Sequence, residues 1–364
     1  MDVLRGLLIL LVVIGHATGA YNKYIYQFHM GAFFLVSGYM ALPERRSVLH
    51  TAYHRLVTGY LPVLSATVFF AAATVVMRRL GLYSIFLGDS LYLGFFSTLK
   101  HLLLYGSLYV WWLGACWFIL ALVGAAMINR ILLLLCKDRC GWLCLLLSTG
   151  LLLAGYRLAE GGGVWYSIDL MLIAQFYFTL GVWIRSHRTP DPQNLSLWKS
   201  LLGLLVTGVL VWFVARRFGL TVDYPDRKFS NPLADVAVSL NGTLCMYFLT
   251  AVLCRISPLR KLLQFLGKNT LSIVIFHFLW FNLGYFILYL LGIAPVEYLQ
   301  SFTPGELGAP WWPMFTLIGC GCSILTWKIM MRFSFLRILF GQEKDLYDAL
   351  WHRICRKMPF FLSN

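Results

Sequence analysis

Arg5 and His16 stand eleven residues apart inside the apolar run DVLRGLLILLVVIGHATGAY, residues 2 to 21. An ionisable side chain at bilayer depth costs roughly 2.5 to 3.5 kcal/mol on insertion scales, so both residues need a purpose. Arginine stays protonated and binds phosphates bidentately, whereas histidine exchanges a proton near neutral pH. Eleven residues of helix are three turns plus about 20°, which puts the pair on one face about 16 Å apart along the axis. The competing readings are a snorkelling Arg5 that only sets topology and a His16 that only bonds a neighbouring helix. Asp2, three residues before Arg5, is spaced to pair with it. YQFHMGAFFLVSGYMAL adds His29 near one end of a second apolar segment, with Ser37 and Gly38 about two and a half turns deeper. His277 lies in SIVIFHF, and Asp169 and Asp235 are the acids expected at or near membrane depth. Either acid can orient a histidine or sit at an interface. Asn241 and Asn282 are weaker candidates.

The elements that must hold these side chains are membrane helices. Of 364 residues, 60% are hydrophobic and 12% charged, against about 25% charged in soluble domains. The first apolar run is not read as a signal peptide, because a second apolar segment starts within ten residues of it. The fold class expected is all-α, a polytopic transmembrane bundle of ten spans near 4–20, 25–42, 57–77, 110–128, 140–156, 165–184, 197–214, 234–254, 270–291 and 311–331. The stretch 88–109 is broken by Asp89, Lys100 and His101 and reads as interfacial or re-entrant, so that an eleventh span stays open. With the N-terminus inside, inner loops carry 21 of the 30 Lys and Arg and outer loops 9, which predicts both termini in the cytoplasm. Residues 1–335 form the membrane domain and 336–364 a basic cytoplasmic tail. On this topology His16 and His29 fall in the outer halves of antiparallel neighbours and His277 in the inner half of the ninth span.

The net charge of +15 is then mostly an insertion signal, and no basic patch with interleaved aromatics points to nucleic acid. The nine cysteines have no CxxC spacing, and Cys136, Cys140 and Cys144 lie among leucines without a nearby histidine, so they read as apolar filler and no metal is expected.

The Arg-x10-His pattern of RGLLILLVVIGH, followed by FHMGAFFLVSGY, WFILALVGA from Trp117 and LGKNTLSIVIFHFL from Leu266, resembles the acyltransferase 3 family of membrane proteins, and especially its fucose 4-O-acetylase-like branch. The four motifs occur in the family's order and span nearly the whole chain. Two departures stand out. Gly31 follows FHM where the branch usually has proline, and TAYHRLVTGYLPV keeps Arg55 but has Ala52 at the first position of the family's donor-side arginine pair. Arg45, Arg46 or His54 are the residues that can replace it.

The resemblance implies a membrane-embedded O-acyltransferase in the bacterial inner membrane, moving an acetyl group from cytoplasmic acetyl-CoA to a hydroxyl of an extracytoplasmic or lipid-linked glycan. The residue chemistry agrees with it. His16 is the expected base, with His29 beside the acceptor, while Arg5, Arg55, Arg45 and Arg46 suit the donor's phosphates. The partners expected are acetyl-CoA as co-substrate, the glycan or lipid-linked sugar, and membrane lipids. The rival readings are a secondary transporter or flippase, against which no internal repeat is evident, and a non-catalytic sensor on the same scaffold.

Overall fold

The computed structural model describes residues 1–41, 47–88, 93–108, 110–187, 191–301 and 303–357. Among them the chain is helical, and Asp223 with Lys228 makes the one β-bridge. Eight helices are long and apolar enough to cross a membrane: Val48–Arg79, Trp111–Leu135, Trp142–Glu160, Trp165–Ser186, Leu197–Arg217, Pro232–Leu253, Thr270–Leu290 and Leu307–Met330. They match, in order, the third to tenth expected spans. The protein is a multi-pass membrane protein.

The first two expected spans take a different form. The opening helix, Asp2–Ala17, ends at Thr18, whose backbone is extended and whose Oγ1 accepts from Ala20 N at 3.2 Å. The chain then bends by 115° into the stretch Gly19–Ile25, and only counting this bent pair as one span raises the number to nine. The helix that follows, His29–Met40, has twelve residues and reaches about 18 Å, too short for a ~30 Å hydrocarbon core. Both short helices are buried by the longer ones: Leu8, Ile9 and Val13 of the first, and Ala32, Phe34 and Val36 of the second, are nearly inaccessible. A helix apolar on all sides belongs inside a bundle. Leu197–Arg217, by contrast, keeps Leu201, Leu205 and Val209 exposed, as a lipid-facing helix does. The interrupted stretch 88–109 supplies a helix of eleven residues, Phe95–Tyr105, again too short to span; residues 89–92 and 109 lie outside the described residues.

Close backbone contacts set the depth of the two inner helices. A Cβ on Gly6 would stand 1.8 Å from the Leu263 carbonyl oxygen, and one on Gly267 would stand 2.0 Å from that of Asp2. The opening helix therefore lies directly against Ser257–Lys268, the amphipathic helix that leads into Thr270–Leu290. Gly38 and Gly181 do the same for His29–Met40 against Ile168–Ser186, their absent Cβ atoms falling 1.9 and 2.0 Å from the carbonyl oxygens of Phe178 and Leu35. Small residues that let helix backbones touch are the usual means of association where no water drives it.

Much of the stretch expected as a tail is packed. Phe340 is 1% exposed, Ser65 donates to the Leu339 carbonyl at 2.5 Å, and Tyr53 donates to the Tyr347 carbonyl at 2.7 Å. The helix Lys344–Lys357 thereby rests on Val48–Arg55, with the Trp351 indole against the rings of His50 and Tyr53.

Candidate active site

Arg5 points from the opening helix toward the close contact just described. Its Nε donates to the Gly267 carbonyl at 2.6 Å, and Asp2 lies 3.9 Å from its NH2. This is the i, i+3 pair that the spacing suggests. Arg5 also lines a cavity of about 680 Å3, within the range of small-molecule sites. Among the described residues its lining holds four arginines, Arg5, Arg55, Arg130 and Arg185, together with His50, His54 and one acid, Asp138.

The four arginines are not equivalent. Arg130, 7% exposed, is ion-paired with Asp138. Arg185 donates to the Tyr39 and Ala41 carbonyls at 3.0 and 3.1 Å and so closes the end of the His29–Met40 helix. Arg55 lies over the Phe178 ring, 5.7 Å from its centroid, with no carboxylate paired to it among the described residues. Its position follows from a π-helical turn, Leu56–Tyr60, directly after it, where one extra residue re-aims the chain. Such insertions are frequent at functional sites. Arg45 and Arg46 lie outside the described residues.

His16 and His29 line a second cavity, of about 430 Å3, near the other end of the opening helix. His29 is 6% exposed; its Nδ1 donates to the Ile25 carbonyl at 3.1 Å, and its ring stacks on Tyr26. A carbonyl only accepts, so this bond fixes the tautomer and leaves Nε2 with a lone pair. Among the described residues His16 has no hydrogen-bond partner for either ring nitrogen, and its ring stacks on that of His277 with centroids 5.4 Å apart. His277 is fully buried and donates from Nδ1 to the Ile273 carbonyl at 2.7 Å.

That stack corrects the expectation that placed His277 at a different depth from His16. Position along a span does not fix depth; the Gly6–Gly267 contact sets a common level. From that level His16 is eleven residues beyond Arg5 and His277 ten beyond Gly267.

A third cavity, of about 260 Å3, lies between the other two. Arg5, Ser37, Arg55 and Leu122 line it and the arginine cavity alike, while Phe33, Phe118 and Val274 line it and the histidine cavity alike. Arg5 lines the first and third cavities and His16 the second, so the two side chains belong to adjoining chambers of one series. The Phe33 and Phe118 rings, 5.3 Å apart at 62°, narrow the join.

The two intramembrane acids stand apart from this series. Asp169, fully buried, accepts from Arg227 Nε at 2.7 Å and from Val164 N at 3.2 Å. Asp235, also fully buried, accepts from Ser230 N at 3.1 Å and so helps start the helix Pro232–Leu253. Both hold loop to helix and neither contacts a histidine. Asn241 and Asn282 are taken up by helix-to-helix and helix-to-loop hydrogen bonds.

Residues that the sequence reading missed complete the histidine cavity. Trp117, Tyr224 and the acids Asp223 and Asp226 line it, and no Lys or Arg does among the described residues. Three of them belong to the tight turn in TVDYPDRK, where Asp223 and Lys228 exchange backbone hydrogen bonds and Val222 N donates to the Tyr26 carbonyl at 2.9 Å. A proline flanked by acids is the signal that could have marked this turn. Desolvation raises the Asp223 carboxyl above its ordinary value, though its bond from the Asp226 amide and the Lys228 charge act the other way. No group of three His, Cys, Asp or Glu among the described residues is placed to hold a metal ion.

No curated protein and no solved structure matches the chain. The acyltransferase domain that defines a family of membrane enzymes does match, over residues 1–331, which takes in every residue of the three cavities, and by that match the chain belongs to the acyltransferase 3 family and is a membrane acyltransferase.

Proposed function

We propose that the protein is an O-acetyltransferase that takes its acetyl group from acetyl-CoA at the arginine-lined end and places it on a hydroxyl of a glycan or lipid-linked sugar admitted at the histidine-lined end. The single observation that carries this reading is the series of three cavities along the opening helix, rich in arginine at one end and, at the other, lined by two histidines with no Lys or Arg among the described residues. A donor rich in phosphate and an acceptor rich in hydroxyls call for that difference. The loop charges support an arginine end and both termini on the cytoplasmic side, where acetyl-CoA is found, and fit a bacterial inner membrane. The resemblance to the fucose 4-O-acetylase-like branch supports a sugar as acceptor.

On this reading Arg5 and Arg55 take the donor phosphates, with Arg45 and Arg46 as further contributors. The pantetheine arm passes Phe33 and Phe118, so that the thioester carbonyl arrives beside His16. The acceptor hydroxyl attacks that carbonyl carbon while His16 takes its proton; the carbon–sulfur bond breaks, and the departing thiolate receives the proton from His16. Imidazole can take up and return a proton at one ring nitrogen, which suits both transfers. His29 accepts a hydrogen bond at Nε2 from a neighbouring hydroxyl and holds the acceptor in place. His277 packs behind His16.

The test is turnover of protein in lipid nanodiscs with acetyl-labelled acetyl-CoA and a soluble methyl glycoside. Label should move to the glycoside with release of one CoA per acetyl group, and His16→Ala should stop it while CoA still binds. Absence of both CoA binding and label transfer in the wild-type protein would overturn the reading.

A further inference from the structure

The histidine cavity has a composition that the general chemistry of acyl transfer does not require. A base and a route for the thioester would suffice, yet this chamber also has an aromatic wall and a carboxylate at its rim. The Trp117 and Tyr224 rings lie nearly parallel, 19° apart in orientation with centroids at 6.0 Å, and both line the chamber. Asp223 sits on the same lining, fixed by the turn whose ends are bridged at Asp223 and Lys228. Of the two acids, Asp226 is neutralised by Lys228, whose Nζ lies 2.6 Å from its carboxylate. Arg227 is turned away, committed to Asp169. Asp223 is left as the carboxylate with no side-chain cation paired to it among the described residues, where it receives only the Asp226 amide, at 3.4 Å.

We infer that this chamber is a subsite for an uncharged pyranose ring, packed against Trp117 and held through its hydroxyls by the Asp223 carboxylate, and that it refuses sugars carrying an anionic group. The inference rests on the acyl-transfer reading and narrows its acceptor. A pyranose offers an apolar face of C–H groups, which suits the electron-rich face of an indole. Its hydroxyls donate, and a carboxylate and the lone pair on His29 Nε2 are acceptors. An anion would meet the Asp223 charge in a confined space with no Lys or Arg among its described lining residues to offset it. At an effective dielectric of about 20, a like charge about 4 to 8 Å away costs roughly thirtyfold to a thousandfold in affinity. The arginine cavity at the other end has the opposite bias, so the protein sorts its two substrates by charge as well as by side of entry.

Three glycosides with the same ring form the test: methyl β-glucopyranoside, methyl β-glucuronide, which differs by a carboxylate, and methyl β-glucosaminide, which adds an ammonium. Their binding to the full-length protein in nanodiscs, with CoA present, is read by saturation-transfer NMR, and CoA itself is titrated on the same samples. The glucoside should bind at least about tenfold more tightly than the glucuronide. Asp223→Asn should bring that ratio to within about threefold and leave CoA affinity unchanged, Asp223→Glu should restore discrimination, and Trp117→Ala should weaken the glucoside about tenfold relative to Trp117→Phe. Equal binding of glucoside and glucuronide by the wild-type protein, a glucosaminide bound no more tightly than the glucuronide, or unchanged discrimination in Asp223→Asn would each overturn the inference. A wild-type protein that fails to bind CoA would instead overturn the acyl-transfer reading, which separates the two failures.

Discussion

Arg5 Nε donates to the carbonyl oxygen of Gly267 at 2.6 Å, across 262 positions of the chain. That bond, with the Gly6–Gly267 backbone contact beside it, ties the opening helix to the approach to Thr270–Leu290, so that His16 and His277 meet ten or eleven residues further on. The depth of the proposed base therefore depends on a glycine three turns away. Gly6→Val should force the two backbones apart, costing about 1 to 3 kcal/mol by overpacking and more if the helix detaches. Thermal unfolding in detergent should show the loss, and turnover of the folded fraction should fall with it, whereas Gly321→Ala, whose Cβ meets nothing within 4 Å, should do neither.

The arginines should separate by what each already holds. Arg55, without a carboxylate partner among the described residues, should contribute most to donor binding, and Arg55→Ala should weaken CoA binding about 10- to 100-fold. Arg185→Ala should instead lower thermal stability, because it leaves the Tyr39 and Ala41 carbonyls without their donor. Calorimetric titration with CoA checks the first and thermal unfolding the second. Equal CoA affinity in Arg55→Ala and wild type would remove Arg55 from the donor site.

His16 and His277 stack on one another but should not respond alike. His16→Ala should reduce kcat by about 10² to 10⁴, the range for loss of a general base, with CoA affinity unchanged. His277→Phe keeps an aromatic ring in the stack and loses only the local bond to the Ile273 carbonyl, so its kcat should fall by less than about tenfold. Single-turnover measurement with saturating donor distinguishes the two. The reverse order of effects would exchange the roles given to these rings.

The passage past Phe33 and Phe118 is open to a steric test. Phe118→Trp should crowd the join between the middle and histidine cavities. Label transfer should then fall by at least about tenfold, while CoA affinity at the arginine end and glycoside affinity at the histidine end stay within about twofold of wild type. Such a result requires that the substrates meet through this join, since crowding anywhere else would change one affinity or leave transfer intact.

Asp169 and Arg227 form a pair whose loss should appear as instability and leave the chemistry intact. Removing one partner of a buried ion pair strands the other charge, at about 3 to 5 kcal/mol. Arg227→Ala should therefore lower the unfolding temperature markedly, whereas the double variant Arg227→Ala with Asp169→Asn should recover part of the loss. The folded fraction of either should turn over at a rate close to wild type, since Asp169 touches none of the three cavities.

Composition and apolar run length were enough to give an all-α membrane bundle, because a hydrocarbon core imposes a minimum helix length and forbids unpaired backbone. They were enough for the eight long helices as well, from Val48–Arg79 to Leu307–Met330. Arg5 and His16 could be placed on one helix face from their spacing alone, since that relation is fixed by the helix itself. What lay beyond a single helix was hidden. Run length could not show that the first two apolar segments are short inner helices, since burial by neighbours, which permits a twelve-residue helix in a bundle, leaves no mark in a hydropathy pattern. The stacking of His16 on His277 needed the Gly6–Gly267 contact to set their common depth, and the division of the passage into chambers needed the Phe33 and Phe118 rings to approach from different helices. Asp169 and Asp235 looked like candidates for chemistry because acids are costly in lipid; only the positions of Arg227 and the Ser230 amide turned them into supports. Asp223 is part of a cavity wall because Val222 bonds to the Tyr26 carbonyl and brings its turn over the histidines, a contact no single segment shows. Local spacing fixes what one helix presents, but which faces confront each other is decided by backbone contacts between segments hundreds of residues apart.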